Sequence, residues 1–293
     1  MTDPVAVFSR NRSLLFTIAY EITGSAGDAE DVVQNTWLRW SDVDASTVHN
    51  PRAFLAQIAT RQAMNTVRSA SRRREDYVGP WLPEPLITEP DIADDVILAE
   101  SVSMAMLVVL QTLSPDERAV FVLREVFGFA HDEIASAVDK SPAAVRQILH
   151  RARGHVQARR PRFDNDPAES AAVLERFAVA SATGDLQALM DVLAPDVVLL
   201  SDGGGFKQAA LRPIFGSDKV GRWLLGVLAK PTPGVSRTEF GMVNGRPATL
   251  VYVDDELDTV GTFECADGLV TGLYLIRNPS KLAKVYLGSD LGR

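Results

Sequence analysis

One helix-starting signal, used twice in the middle of the chain, constrains the fold more than any other feature. Ser114-Pro115-Asp116-Glu117 puts a capping hydroxyl, a proline at the first helical position and a glutamate three residues after the cap. That combination satisfies the orphan amides of a helix start, and the cap is worth about 1 kcal/mol. The pattern predicts a helix to Phe127 closed by Gly128, then a short helix from about His131 to Val138 and a turn at Asp139-Lys140. Ser141-Pro142 opens the next helix by the same chemistry. A short helix, a tight turn and a long helix make a helix-turn-helix over 114–156.

The last of these helices has two faces. Val145, Ile148, Leu149, Ala152 and Val156 recur at helical spacing and predict the buried stripe. Ser141, Ala143, Arg146, Gln147, His150, Arg151 and Arg153 are left on the exposed sides. In this motif the N-terminal part of the second helix enters the major groove of DNA. Arg146 suits guanine and Gln147 suits adenine, while Arg151 and Arg153 suit phosphates. The small Ser141 and Ala143 allow close approach.

The 293 residues carry a net charge of −8, which by itself argues against a nucleic-acid partner. The distribution reverses that inference. Arg52–Arg74 contains six basic residues and no acid, and Lys140–Arg162 contains seven and no acid. Charge sorted in this way creates local positive fields despite an acidic whole.

Residues 1–75 read as helical. Asp28-Ala29-Glu30-Asp31 opens an amphipathic stretch through Trp40, with acids at the positive end of the helix dipole. A further helix is expected from Pro51, with Leu55, Ile58, Ala59, Ala63, Val67 and Ala70 on its apolar side and Arg61, Asn65, Arg68 and Arg72 nearer the other. The polar loop ending in His49-Asn50 beside this basic helix could trap an unstacked base. Residues 76–100 have a linker's composition, proline-rich and acidic. The embedded Trp81-Leu82-Pro83-Glu84-Pro85 either anchors the linker on a neighbouring domain or tucks the Trp locally. Residues 101–160 carry the helix-turn-helix, and 161–166 form a second joint. From 167 to 293, helices at Ala168–Thr183 and Leu186–Leu193 precede strand-like runs at Val197–Ser201, Ala248–Val253, Val260–Cys265 and Leu269–Ile276. Helices followed by strands predict an α+β domain with a curved antiparallel sheet.

Gly27–Trp40 (GDAEDVVQNTWLRW) resembles the core-polymerase-binding helix of the extracytoplasmic-function sigma factors of the sigma-70 family. Asn50–Glu75 resembles their promoter-melting and −10-reading helix, and Leu113–Arg153 their −35-reading domain. WLPEP, Ser201-Asp202-Gly203-Gly204-Gly205 and Arg277-Asn278-Pro279-Ser280-Lys281-Leu282 are similar to motifs of the group with a fused C-terminal SnoaL-like domain of the NTF2-like cone fold. The resemblance implies a multidomain fold: two all-α sigma domains, regions 2 and 4, and then an α+β cone. It implies contact with core RNA polymerase, through the beta-prime and beta subunits, around Asp31, Gln34, Thr36 and Trp37. It implies −10 DNA contact by Asn50, Arg52, Arg61, Asn65, Arg68 and Arg72, and −35 promoter DNA contact by the exposed residues of the last helix. Regulation between domains would fall to Trp81, Leu82, Pro83, Glu84, Pro85, Asp202, Gly203, Gly204, Gly205, Asn278, Pro279, Lys281 and Leu282, so that a separate anti-sigma factor is possible but not required. The chain departs from the group's motifs twice: Phe206 intervenes before Lys207, and Ser280 stands where an acid is common.

Other chemistries are less well supported. The single cysteine, Cys265, excludes an intramolecular disulfide and a cysteine-rich metal cluster; no cofactor is expected. The apolar run Leu14–Tyr20 is too short to span a bilayer and lacks a leader pattern, so a cytoplasmic protein with no membrane partner is expected. NTF2-like cones include proton-abstracting enzymes, and Asp202 is the best base, ahead of Asp196, Asp254 and Glu256. All four histidines precede residue 156, so no His-Asp dyad can form there. A possible small-molecule ligand of the C-terminal domain is more plausible than catalysis. The alternative function is a helix-turn-helix regulator with such a ligand-sensing domain.

Overall fold

In the computed structural model, residues 3–88, 103–159, 167–231, 234–283 and 286–287 are described, without the side chains of 71–75, 159, 167–168 and 286–287. The joint at 161–166, the linker beyond Thr88 and the Arg72 side chain therefore lie outside the described residues.

The N-terminal block is three helices. Asp3 caps α1 (Pro4–Thr23) by accepting from the Val5 amide, and Gly24 ends it at φ 71°. Ser25 caps α2 (Ala26–Ser41) in the same way through Asp28. Asn50 Oδ1 accepts from the Ala53 amide at the start of α3 (Pro51–Glu75). The middle block holds α4 (Met104–Gln111), α5 (Pro115–Phe121), α6 (His131–Val138) and α7 (Pro142–Arg159). The expected capping box at Ser114–Glu117 is present, and Asp139 makes the turn in the left-handed region at φ 56°. The helix begun at Pro115 does not run unbroken to Phe127. It widens into a π-turn over Val122–Val126 before Gly128.

These two blocks share one core. Leu15, Phe16 and Tyr20 of α1 and Leu55 of α3 belong to the same buried cluster as Leu107, Leu110, Phe121, Ile134, Val145 and Leu149. Each such side chain contributes about 1.5–3 kcal/mol when fully buried, so the blocks are held by apolar packing more than by their charges.

The C-terminal domain has α8 (Pro167–Thr183), α9 (Leu186–Val192) and α10 (Ser217–Leu228) beside a sheet. Its strands are β2 (Leu193–Asp202), β3 (Ile214–Phe215), β4 (Ser236–Val243), β5 (Arg246–Val253), β6 (Glu256–Ala266), β7 (Leu269–Ile276) and β8 (Tyr286–Leu287). A one-turn helix, α11 (Pro279–Leu282), follows β7. The strand order among the described residues is β3-β2-β7-β6-β5-β4-β1-β8, where β1 (Leu86–Ile87) comes from the linker. The sheet is mixed, not antiparallel throughout as expected. β2 runs parallel to β7 and β1 parallel to β8, because long connections and a linker strand, not hairpins, bring those neighbours together. The sequence pattern misses β4, whose first five residues are all exposed, and α10, whose Gly221 and Gly226 lower its helix propensity.

A separate cluster joins all three parts. Leu82 of the linker and Met104 and Ala105 of α4 pack among Val243, Leu250, Val260, Tyr274, Ile276 and Leu282 on the open face of the sheet.

Candidate functional site

The long helix α7 buries the predicted stripe, with Val145 and Ala152 at 0% exposure. Ser141, Ala143, Arg146, Gln147 and His150 are exposed, and among the described residues Arg146, Gln147 and His150 have no side-chain partner. Arg151 and Arg153 lie further along and pair with Glu117 at 3.6 Å and Glu125 at 2.8 Å. Burial alone would raise the Glu117 carboxyl, but hydrogen bonds from Ser114 and the His155 and Arg151 charges hold it below its usual range. Both arginines are at least half exposed, so these pairs are worth less than about 1 kcal/mol each and leave the guanidiniums available.

The basic helix α3 is placed differently. The side that carries Asn50, Gln57 and Arg61 faces α6. Asn50 Nδ2 donates to Glu133 Oε1 at 2.9 Å, Gln57 to the Ser136 carbonyl at 3.1 Å, and Arg61 to the Ser136 and Ala137 carbonyls at 2.7 and 3.2 Å. Arg52 reaches the Phe127 carbonyl at 3.3 Å and lies 4.3 Å from the Phe129 ring centroid. Arg68 pairs with Asp116 at 2.9 Å. Asn65 is exposed on the same helix. The Ser136 and Ala137 carbonyls belong to the last turn of α6, the negative end of its dipole, which favours a guanidinium there. An open cleft of about 450 Å³ remains between the two blocks. The His49-Asn50 loop and Phe54 line one side, Glu133 and Ser136 the other.

On α2, Asp31 and Gln34 are exposed and Trp37 is half-buried, 5.0 Å edge-on from Phe8. Thr36 is not at the surface. It is fully buried and donates to the Val32 carbonyl at 2.7 Å, which makes it part of the N-terminal block's own packing rather than an accessible contact.

The two C-terminal motifs and the linker's WLPEP meet at Asp202 and Lys281. Lys281 Nζ donates to Asp202 Oδ2 at 2.7 Å and to the Leu82 carbonyl, and sits 4.0 Å from the Trp81 ring centroid. Asp202 Oδ2 also accepts from the Leu82 amide at 2.9 Å, and Oδ1 accepts from the Tyr77 hydroxyl at 2.6 Å and the Gly204 amide at 3.0 Å. Asn278 Nδ2 donates to the Tyr77 hydroxyl at 2.7 Å. Burial and the Asp202 carboxylate together push that hydroxyl's pKa up. Asp202 is 0% and Lys281 5% exposed. A buried pair tolerates its desolvation only when its remaining hydrogen bonds are met, and here the linker backbone meets them. Gly204 takes φ 60°, and a Cβ there would strike the Asn278 carboxamide. Gly203 and Gly205 complete the turn, and Pro279 and Leu282 lie on α11.

The other half of WLPEP turns to the N-terminal block. Glu84 Oε2 accepts from the Ala26 and Gly27 amides at 2.8 and 3.3 Å, in the first turn of α2, a favourable place for a carboxylate. Pro83 and Pro85 are buried on either side. Tyr20 donates to the Glu84 carbonyl at 2.5 Å and receives Asn244 Nδ2 at 2.9 Å. Of the two readings of Trp81-Leu82, the structure has the anchor.

Both departures from the family motifs have a local account. Phe206 is 77% exposed, and Lys207 reaches Asp258 at 2.8 Å, which Arg277 also contacts at 3.0 Å. Burial opposes ionisation of Asp258, but Lys207, Thr259 and Arg277 hold its pKa at about 2. Ser280 closes on Asn278 Oδ1 at 2.8 Å.

Several residues of the interface gave no signal in the sequence. Arg118, 3% exposed, donates from the middle block to the Ile22 carbonyl of α1 at 2.6 Å. Tyr20 and Asn244 join the N-terminal block to the β4–β5 turn. Arginine, tyrosine and asparagine are unremarkable singly, and only their meeting across the fold gives them a role. Within the C-terminal domain, the cavity beside Cys265 and Glu264 has about 10 Å³ of space, and Leu82, Met104 and Ala105 fill the open face of the sheet. No described helix is long and apolar enough to cross a membrane.

Residues 7–73 match the family model for sigma-70 region 2, and residues 103–156 that for sigma-70, region 4. The chain is 38% identical over 300 residues to the "ECF RNA polymerase sigma factor SigJ" of Mycobacterium tuberculosis, covering 98% of this chain and 94% of that protein. It is 31% identical to the "Probable ECF RNA polymerase sigma factor SigI" of the same species, covering 96% and 95%. The crystal structure of M. tuberculosis SigJ aligns with a TM-score of 0.79 at 34% identity, covering 96% of this chain and 99% of that one.

Proposed function

The chain belongs to the extracytoplasmic-function RNA polymerase sigma factors, and on that premise we propose that its fused C-terminal domain holds it in a closed form from which promoter opening requires release. The observation that carries this reading is the engagement of Asn50, Arg52, Arg61 and Arg68 by the −35-reading block. In the same structure the linker between the two reading blocks is fastened to the C-terminal sheet by Lys281 and Asp202.

In this reading Asp31, Gln34 and Trp37 contact core polymerase. Asn50, Arg52, Arg61, Asn65, Arg68 and Arg72 meet the −10 element after release. Ser141, Ala143, Arg146, Gln147, His150, Arg151 and Arg153 meet the −35 element. WLPEP with Asp202–Gly205 and Asn278–Leu282 forms the clasp, and no separate anti-sigma factor is needed. Asp202 serves as a structural anion and not as a catalytic base, because each of its oxygens already accepts hydrogen bonds from the linker and from Lys281 or Gly204. Cytoplasmic action follows from the partners.

Core binding followed by run-off transcription from a cognate promoter tests the reading. Tyr77→Phe deletes one hydroxyl from the clasp and should raise promoter output several-fold at limiting core polymerase. Failure to bind core would sink the polymerase role. An unchanged output with Tyr77→Phe, and with the chain ended after Arg162, would sink the control by the fused domain.

A further inference from the structure

The C-terminal sheet leaves one stretch of strand edge open. β4 (Ser236–Val243) is paired along its whole length to β5 on one side. On the other side, among the described residues, β1 meets only its downstream end, at Ile87 and Val243. Backbone groups alternate between the two sides of a strand. The Met242 carbonyl accepts from the Thr88 amide at 3.0 Å and the Asn244 amide donates to Leu86, so the even-numbered residues face the β1 side. The Val235 carbonyl accepts from the Asp254 amide on the β5 side. The amides and carbonyls of Ser236, Thr238 and Phe240 therefore point out along an edge that β1 does not reach. Upstream, Gly234 turns the chain at φ 95°. The open run is Ser236–Phe240, exposed throughout, with Thr238 at its centre. It has no proline, lysine or bulge, the devices that blunt an open edge.

We propose that this run is an interface for a second copy of the chain, the two β4 edges pairing antiparallel about Thr238.

Charge selects both the partner and the register. Arg237 and Glu239 lie on one face of the strand, 2.9 Å apart and each about half exposed. Pairing centred on Arg237 would set arginine against arginine, and pairing centred on Glu239 would set acid against acid. Centring on Thr238 puts Arg237 opposite Glu239 of the partner subunit, and the reverse, so the edge is complementary to itself, as a two-fold interface must be. In the same register each Thr238 exchanges both backbone bonds with its equivalent, and Ser236 does so with Phe240 of the partner subunit. On the other face Phe240, 62% exposed, gains the Ser236 and Thr238 side chains of the second copy as cover, at the spacings where cross-strand pairs interact. So short an edge buries less than about 1,200 Å² in total, the range of weak and transient pairs. A concentration-dependent dimer is expected and not a permanent one.

Sedimentation of the full-length chain from low micromolar to several hundred micromolar tests this, and a monomer–dimer equilibrium is the expected result. Thr238→Pro removes an outward amide that β5 does not use, a place where a strand tolerates proline. It should abolish the dimer and leave the urea midpoint unchanged. Arg237→Glu and Glu239→Arg each turn two favourable cross-strand pairs into two repulsive ones, and each should raise the dissociation constant about tenfold or more. Mixed in equal amounts, these two variants again set opposite charges across the edge, and a heterodimer about as tight as the parent dimer is expected. Should Thr238→Pro fail to fold, the charge variants and their mixture decide. A chain that stays monomeric at every concentration would overturn the proposal, leaving the edge to another protein's strand or to none. So would a dimer indifferent to both charge variants, or a mixture no tighter than either variant alone.

Discussion

The two faces expected to read DNA carry similar charge and are in opposite circumstances. On α7, Arg146, Gln147 and His150 are exposed with no side-chain partner among the described residues. On α3, Asn50, Arg52, Arg61 and Arg68 each give a hydrogen bond to the middle block. The difference is in packing and not in sequence chemistry. α3 lies across a shared apolar core from α6, whereas α7 turns its basic side outward from that core. In the proposed closed form, the side chains of α3 expected to read DNA are engaged and those of α7 are left exposed.

The energetics divide in the same way. The α3 hydrogen bonds are mostly at exposed positions, where single pairs are worth about 1 kcal/mol or less. The closed arrangement must be held by the shared core and by the buried Lys281–Asp202 clasp. The widest break in the comparison should come from Lys281→Met. It strands Asp202 as a buried charge and should cost about 3–5 kcal/mol, read as a lower urea midpoint for loss of contact between the linker and the C-terminal domain. A midpoint within error of the parent would mean that the pair adds nothing to closure. Next, Arg146→Ala should cost about 1–3 kcal/mol at a cognate −35 site and relax preference there, measured by binding to duplexes that vary at one position. A loss that is equal on every sequence would remove Arg146 from the base readers.

Smaller effects sharpen the contrast. Arg61→Ala removes the bonds to Ser136 and Ala137 at the end of α6 and should loosen the two helical blocks by about 1 kcal/mol. Faster hydrogen exchange on α6 would register it, and unchanged exchange would show that apolar packing alone holds α3 in place. Arg151→Ala should do least. It should weaken duplex binding evenly across sequences and lower the salt slope by about 1, and a change in sequence preference would contradict its role as a phosphate clamp.

Much of this was readable from the residues because local chemistry fixes it. Serine caps followed by proline start α5 and α7 where the sequence places them, and the α7 stripe at Val145, Ile148, Leu149, Ala152 and Val156 is buried throughout. The family resemblance assigns WLPEP, Asp202 and Lys281 to interdomain regulation but leaves open whether they touch; their meeting is read only from the structure. What was not legible depends on distant parts of the chain. A linker segment became a sheet strand because β4 offered it an open edge. Thr36, a polymerase contact by family resemblance, is buried on α2, a helix that packs against both α1 and α3.

In the proposed cycle the free chain is closed and promoter engagement opens it. The most direct test is the distance between labels at Ser69 on α3 and Gln157 on α7, both exposed, measured by pulsed electron spin resonance in the full-length protein. One short distance is expected in the free chain, a longer one when core polymerase and promoter DNA are bound, and a mixture in free Lys281→Met. A long distance already present in the free chain, or a short one that persists in the promoter complex, would contradict it.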